Sequence, residues 1–150
     1  MIGLLPEDAA AFTALFARVE HALRRNGYVR LDQERAVVNW RKFASELGDA
    51  FFAYVRESKR AETLVSEPPR VYHRDHGMMP KIQEPITDVT QLFSRAVCQV
   101  RNNIVHGEKY VDLATPRDDA LVREANWVLE EAIARHPRMS SIMAMQQSAK

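Results

Sequence analysis

Apolar residues recur at helical spacing along most of this chain. In the first segment they lie three or four residues apart and predict a helix over about residues 6–26, ended by Gly27. A second stripe begins after Asp32, a suitable N-cap, and crosses Gly48 without losing phase. It predicts one long helix to about residue 60, bent at the glycine, or alternatively two helices that break there.

Two further helices follow in the second half of the chain. An uninterrupted apolar stripe predicts a third helix over about residues 89–106, with Asp88 as its N-terminal cap. Pro116 suits the first position of a fourth helix, which Pro137 ends. The C-terminal tail, about residues 138–150, is either a short docking helix or a frayed end.

The connection between the second and third helices is long and irregular, at about residues 65–86. Four prolines forbid a continuous helix there: Pro68, Pro69, Pro80 and Pro85. No segment predicts a sheet, and no internal repeat is present. We therefore expect residues 1–150 to form a single all-α domain, a four- to five-helix up-and-down bundle.

The composition excludes several classes of protein but does not identify one. The chain is 46% hydrophobic and 27% charged, as is typical of soluble globular domains, and its net charge is +1. That charge disfavours a surface coated for nucleic acid but permits a local basic site. The single Cys98 excludes an intrachain disulfide and a cysteine zinc site. With no apolar run of about 20 residues and no signal peptide, we expect a cytoplasmic protein without membrane contact.

The third predicted helix carries the candidate chemistry. It contains no acidic residue, and on an ideal wheel Arg95, Gln99, Asn102 and His106 form one polar row. Arginine binds phosphate through a fixed fork of donors, and histidine exchanges a proton near neutral pH. Arg101 lies about 140° from His106 on the same wheel. The two side chains can therefore form one site only with a distorted helix end or with a second subunit.

Asn103 lies near the edge of the apolar stripe of that helix. A buried asparagine needs hydrogen-bond partners, and a facing backbone would supply them.

The segment 100–110 resembles a known family. Arg101-Asn102-x-x-x-His106 is similar to the R-x4-6-H motif of the HEPN domain family, with asparagine after the arginine, in the form seen in uncharacterised bacterial members. The resemblance implies a HEPN-like helical bundle, usually dimeric, with the motif at the dimer cleft. Many such proteins are metal-independent endoribonucleases of toxin–antitoxin or other defence systems. No cofactor and no metal are therefore expected.

The resemblance also implies roles for individual residues. Arg101 would hold the scissile phosphate, His106 would act as general acid or base, and Asn102 would orient one of them. We further expect the substrate to contact four residues near the motif: Arg95, Gln99, Lys109 and Tyr110. One toxin branch has a tyrosine two residues after the histidine, where this chain has Glu108. Regulation through that tyrosine is therefore not expected here.

Expected partners are RNA or a nucleotide, a second copy of the chain, and a cognate antitoxin or neighbouring protein. The alternative is a non-catalytic, HEPN-like nucleotide- or RNA-binding or dimerisation module, and a purely structural protein is a third reading. Five residues of the connection are interpreted as part of a solvated polar loop, with RNA contact as the less favoured alternative: Arg70, Tyr72, His73, Arg74 and Lys81. His21 and His136 are interpreted as surface or helix-end residues.

Overall fold

Helices make up most of this protein. The computed structural model describes residues 6–72, 80–105 and 116–148, and within these ranges the chain forms seven helices and two small sheets. The helices are α1 (Glu7–Arg25), α2 (Trp40–Leu47), α3 (Asp49–Ser58), α4 (Glu62–Ser66), α5 (residues 89–105), α6 (Pro116–Arg135) and α7 (Met139–Ser148). The strands are β1 (Val29–Asp32), β2 (Arg35–Val38), β3 (Val71–Tyr72) and β4 (Pro80–Lys81).

The predictions for the first, third and fourth helices are confirmed as α1, α5 and α6. Asp88 caps α5 as expected, since its Oδ1 accepts the Gln91 backbone N–H at 2.8 Å. The C-terminal tail forms a docking helix, α7, because Met139 is buried and two further apolar side chains pack against the core, Ile142 and Met143.

The prediction of one long second helix starting after Asp32 is wrong. Asp32 ends β1, and α2 begins at Trp40, where the Asn39 side chain accepts the Lys42 N–H at 3.0 Å. The alternative of two helices is correct. Gly48 separates α2 from α3 with φ 79° and ψ 173°, a backbone conformation that is essentially restricted to glycine.

The prediction that no sheet is present is also wrong. β1 and β2 pair antiparallel from Val29↔Val38 to Asp32↔Arg35, joined by the two residues Gln33 and Glu34. Both have positive φ, 49° and 71°, as the type I′ form of a two-residue hairpin turn requires. Neither is a glycine or asparagine, so the usual turn signal is missing from the sequence.

The described part of the connection at about residues 65–86 contains more regular structure than predicted. It begins inside α4 and contains the antiparallel pair β3–β4, in which Val71 faces Lys81. The Ile86 N–H donates to the Val65 carbonyl at 2.8 Å and draws the two ends of the connection together. The segment 81–84 is thereby held beside α5.

The core is built around α5, which contacts α1, α2, α4 and α6. Trp40 stacks on Phe93 with ring centroids 5.9 Å apart, and Phe43 meets Phe93 edge-on at 5.3 Å. Phe43 and Phe93 are fully buried, and burying each of these two rings contributes about 1.5–3 kcal/mol to folding. Within the described ranges, no helix has both the length and the apolar character needed to cross a membrane.

The middle of α5 departs from α-helical geometry. Val89–Gln91 and Cys98–Val105 are α-helical, whereas Leu92–Val97 is π-helical. A π-turn closes i→i+5 hydrogen bonds and holds more residues than the 3.6 of an α-turn. A 100° wheel therefore does not relate residues before this stretch to residues after it.

Candidate functional site

Arg101 lies in the C-terminal part of α5 and faces α1. Its Nη2 is 3.5 Å from Oε1 of Glu20, and its guanidinium carbon lies 5.3 Å from the centroid of the Phe16 ring. Its Nη1 donates to Oδ1 of Asn102 at 3.2 Å. These contacts hold the guanidinium in one orientation, while 36% of the side chain stays exposed. Arg101 is a positioned cation whose charge Glu20 partly offsets.

The side-chain amides in the C-terminal part of α5 have different hydrogen-bond partners. Asn102 binds Arg101, whereas Gln99 donates through Nε2 to Oδ1 of Asn103 at 2.8 Å. Asn103 is buried and donates to the Arg70 carbonyl at 2.9 Å, so its expected need for a backbone partner is met. Asn103 therefore ties α5 to the chain entering β3.

Arg95 faces the segment 81–84 rather than α1. Its Nε donates to Oε1 of Gln83 at 3.1 Å, and its Nη2 donates to the Glu84 carbonyl at 2.9 Å. Arg95 lines a groove of about 600 Å³ between that segment and α5, together with Lys81, Ile82, Gln83, Glu84 and Gln99. We call this the hairpin groove. It brings together two residues that the sequence predicted to contact substrate, Arg95 and Gln99.

Three of the predicted site residues lie outside the described residues: His106, Lys109 and Tyr110. Among the others, Arg101 and Asn102 contact each other, and Arg95 and Gln99 line the hairpin groove. The described part of the predicted site thus consists of two separate groups of side chains on α5.

A polar cluster that the sequence did not reveal joins α2 to the end of α6. Oε1 of Glu46 accepts the Tyr28 hydroxyl and lies 2.8 Å from Nε2 of His136. The His136 ring stacks on Phe43 with centroids 4.9 Å apart, and the side chain is buried. The interpretation of His136 as a helix-end residue is correct, but it does not lie on the surface.

The hydrogen bonds of His136 determine where its proton lies. Nδ1 accepts the backbone N–H groups of Arg138 at 3.1 Å and Met139 at 3.2 Å, at the start of α7. Since Nδ1 is an acceptor, Nε2 carries the hydrogen and donates it to Glu46. Burial lowers the pKa of His136, against the opposing effect of the Glu46 hydrogen bond. His136 is thus a neutral cap of α7 and is not available as a proton-transfer group.

Cys98, also on α5, offers no nucleophile. Burial raises the pKa of its thiol far above the usual range, and the nearby Glu20 carboxylate adds to the shift. The thiolate, which is the reactive form, is therefore not populated near neutral pH.

Sequence reasoning missed three residues that shape these sites. Glu20 is 81 positions from Arg101, and Gln83 is 12 positions from Arg95, so no spacing pattern connects them. Glu46 is likewise 18 positions from Tyr28 and 90 positions from His136. In the polar cluster, His136 is the residue whose position the sequence indicates, because a histidine just before Pro137 is typical of the end of a helix.

Comparisons with known protein families, curated proteins and solved structures found no match. The resemblance to the HEPN family therefore depends on residues 100–110 and stays a prediction.

Proposed function

We propose that this protein is a HEPN-like, metal-independent endoribonuclease that acts as a homodimer, in a toxin–antitoxin or related defence setting with a cognate protein partner. The observation that carries the proposal is the pairing of Arg101 with Asn102 on α5, which lie five and four residues before His106 in sequence, respectively. A guanidinium held by Asn102, Glu20 and Phe16 loses little side-chain entropy when it binds a phosphate.

The chemistry that suits these residues is attack of a ribose 2′-hydroxyl on the adjacent phosphorus. A general base takes the hydroxyl proton, the 2′-oxygen bonds to phosphorus, and the bond to the 5′-oxygen breaks as that oxygen gains a proton. His106 is the proposed acid or base, and Arg101 the proposed partner of the charged phosphate oxygens. The products would be a 2′,3′-cyclic phosphate and a 5′-hydroxyl end.

The direct test is RNA cleavage in the presence of EDTA. We expect cleavage with cyclic phosphate ends, and a rate at least about 100-fold lower for His106→Ala, the usual contribution of a positioned acid or base. His21→Ala is a matched control, because His21 is an exposed histidine on α1. Equal cleavage by wild type and His106→Ala would remove the proposal.

A subunit-mixing experiment tests the dimeric form of the proposal. If Arg101 of one subunit works with His106 of the other, mixing Arg101→Ala with His106→Ala restores one intact site in each mixed dimer. Random reassortment makes half of the dimers mixed, so about a quarter of the wild-type activity should return. No recovery, with subunit exchange demonstrated by differently labelled chains, would mean that both groups act within one subunit.

A non-catalytic nucleotide- or RNA-binding module is the second candidate, favoured by one observation. Glu20 lies 3.5 Å from Arg101, and a carboxylate in that position competes with phosphate. This candidate predicts RNA binding that requires Arg101 without any turnover. Glu20→Gln should then strengthen RNA binding by a few fold, and an unchanged affinity in both Glu20→Gln and Arg101→Ala would exclude Arg101 from the binding site.

A further inference from the structure

We infer that the hairpin groove binds the phosphate of a nucleotide, either a free mononucleotide or one unit of a single-stranded RNA. The groove is separate from Arg101, since it opens between α5 and the segment 81–84 rather than toward α1. Its volume of about 600 Å³ is in the range of small-molecule sites. The inference rests on the proposed function only where the ligand is RNA.

Arg95 is the anion-binding group that carries the inference. The two acceptors that hold its guanidinium are neutral, the side-chain oxygen of Gln83 and the carbonyl of Glu84. These bonds orient the guanidinium without offsetting its charge, in contrast to the carboxylate that pairs with Arg101. An oriented guanidinium is suited to bidentate binding of phosphate.

The orientation of Arg95 is reinforced from its own backbone. The Nε2 of Gln83 donates to the Arg95 carbonyl at 2.8 Å and to the Pro69 carbonyl at 2.7 Å. Gln83 is therefore hydrogen-bonded to both the side chain and the main chain of Arg95. The Arg95 carbonyl belongs to the π-helical stretch Leu92–Val97, and such stretches are frequent at functional sites.

The rest of the lining fits a singly phosphorylated nucleotide. Lys81 adds a second positive charge, whereas the Glu84 side chain brings one negative charge to the rim. Ile82 is 75% exposed at the groove and offers an apolar surface for a base or sugar. Two cations against one carboxylate favour one phosphate over a run of phosphates.

The test is binding of adenosine 5′-monophosphate by calorimetry, with adenosine and inorganic phosphate as partial probes. We expect a Kd of about 1 mM or tighter for the nucleotide, and a loss of about tenfold in Arg95→Gln. Lys81→Gln should weaken binding by about threefold, and Glu84→Gln should strengthen it by about as much. Glu84→Gln keeps the backbone carbonyl that holds Arg95, and the Lys81 side chain is exposed, so neither change disturbs the fold.

Arg30→Gln is the matched control, because Arg30 is an exposed arginine on β1. Titration with a short oligoadenylate in the His106→Ala background separates the two ligand sources. Tighter binding of the oligonucleotide supports a strand site, and equal or weaker binding supports a free nucleotide. Affinities that are the same in wild type, Arg95→Gln and Lys81→Gln for every probe would overturn the inference.

The outcome is distinguishable from failure of the proposed function. Nucleotide binding that depends on Arg95, without RNA cleavage, would support the nucleotide site in the hairpin groove and refute the proposed nuclease. Cleavage that depends on His106 but is unaffected by Arg95→Gln and Lys81→Gln would support the nuclease and refute a role of the hairpin groove in RNA binding.

Discussion

Tyr28→Phe removes one buried hydroxyl from the polar cluster and leaves the ring in place. The ring is fully buried, and its hydroxyl donates to the Glu46 carboxylate, which also accepts from His136. A hydrogen bond to a charged group contributes about 1.5–3 kcal/mol to stability. Because the Glu46 side chain is 34% exposed, water replaces part of that bond in the variant. We expect a loss of about 1–2 kcal/mol in the free energy of unfolding near pH 7.

The same substitution has a pH signature. The Tyr28 hydrogen bond is the largest cause that lowers the pKa of Glu46. A carboxyl group with a lowered folded pKa stabilises the fold above its unfolded pKa of 4.5, and that contribution is lost as the pH falls through the folded pKa. In Tyr28→Phe the Glu46 pKa moves back up, so the difference between the two proteins should be largest above 4.5 and should narrow in acid.

Urea unfolding followed by tryptophan fluorescence, at neutral pH and in acid, measures both effects. Glu46→Gln and the double variant complete a mutant cycle that isolates the energy of the pair. A neutral-pH difference below about 0.3 kcal/mol would refute the reasoning, since that is within the spread of ordinary surface changes. A difference that is the same in acid would refute the role of the ionised carboxylate.

Three other predictions follow from particular residues. Gly48→Ala should lower the free energy of unfolding by about 1–3 kcal/mol, because the backbone conformation of Gly48 disfavours any residue with a Cβ. Steric contact does not add to this effect, since no atom lies within 4 Å of the position that the Cβ would take. A free energy of unfolding in urea equal to that of wild type would contradict the prediction. Glu34→Gly should raise the free energy of unfolding by about 1 kcal/mol by relieving its positive φ, and an unchanged Tm would count against it. In NMR titration His136 should have a pKa below the ordinary histidine value of 6.5 and stay in the neutral Nε2–H form at neutral pH; a pKa at or above 6.5 would exclude the assigned cap.

Helices α1, α5 and α6 were predictable because burial of one helix face produces a periodic pattern of apolar residues in the sequence. The stripe that includes Phe12, Phe16 and Val19 gave α1 to within a residue or two at each end. The hairpin β1–β2 left no such record. Its turn uses Gln33 and Glu34 in conformations that glycine or asparagine usually adopts, and Leu31 is 76% exposed, so neither turn chemistry nor burial indicated strands.

The residues of the candidate site could be predicted from the sequence, but their arrangement in space could not. Arg95, Gln99, Arg101 and Asn102 were found because charged and amide side chains on an acid-free helix are visible in the sequence. Which surface each of them faces was not predictable. Their neighbours come from distant parts of the chain, since Glu20 reaches Arg101 through tertiary packing of α1 on α5 and Gln83 reaches Arg95 from the connection before α5.

The two arginines of α5 differ in what an anion must displace to reach them. At Arg101 a phosphate competes with Glu20, so binding there carries the added penalty of moving or neutralising a carboxylate. At Arg95 the neighbouring acceptors are neutral and stay bound to the guanidinium while further N–H groups of the fork take up the anion. Ligand affinity is therefore expected mainly from Arg95. In the proposed nuclease, Arg101 would interact mainly with the transition state, in which the phosphate oxygens carry the most negative charge and compete best with Glu20.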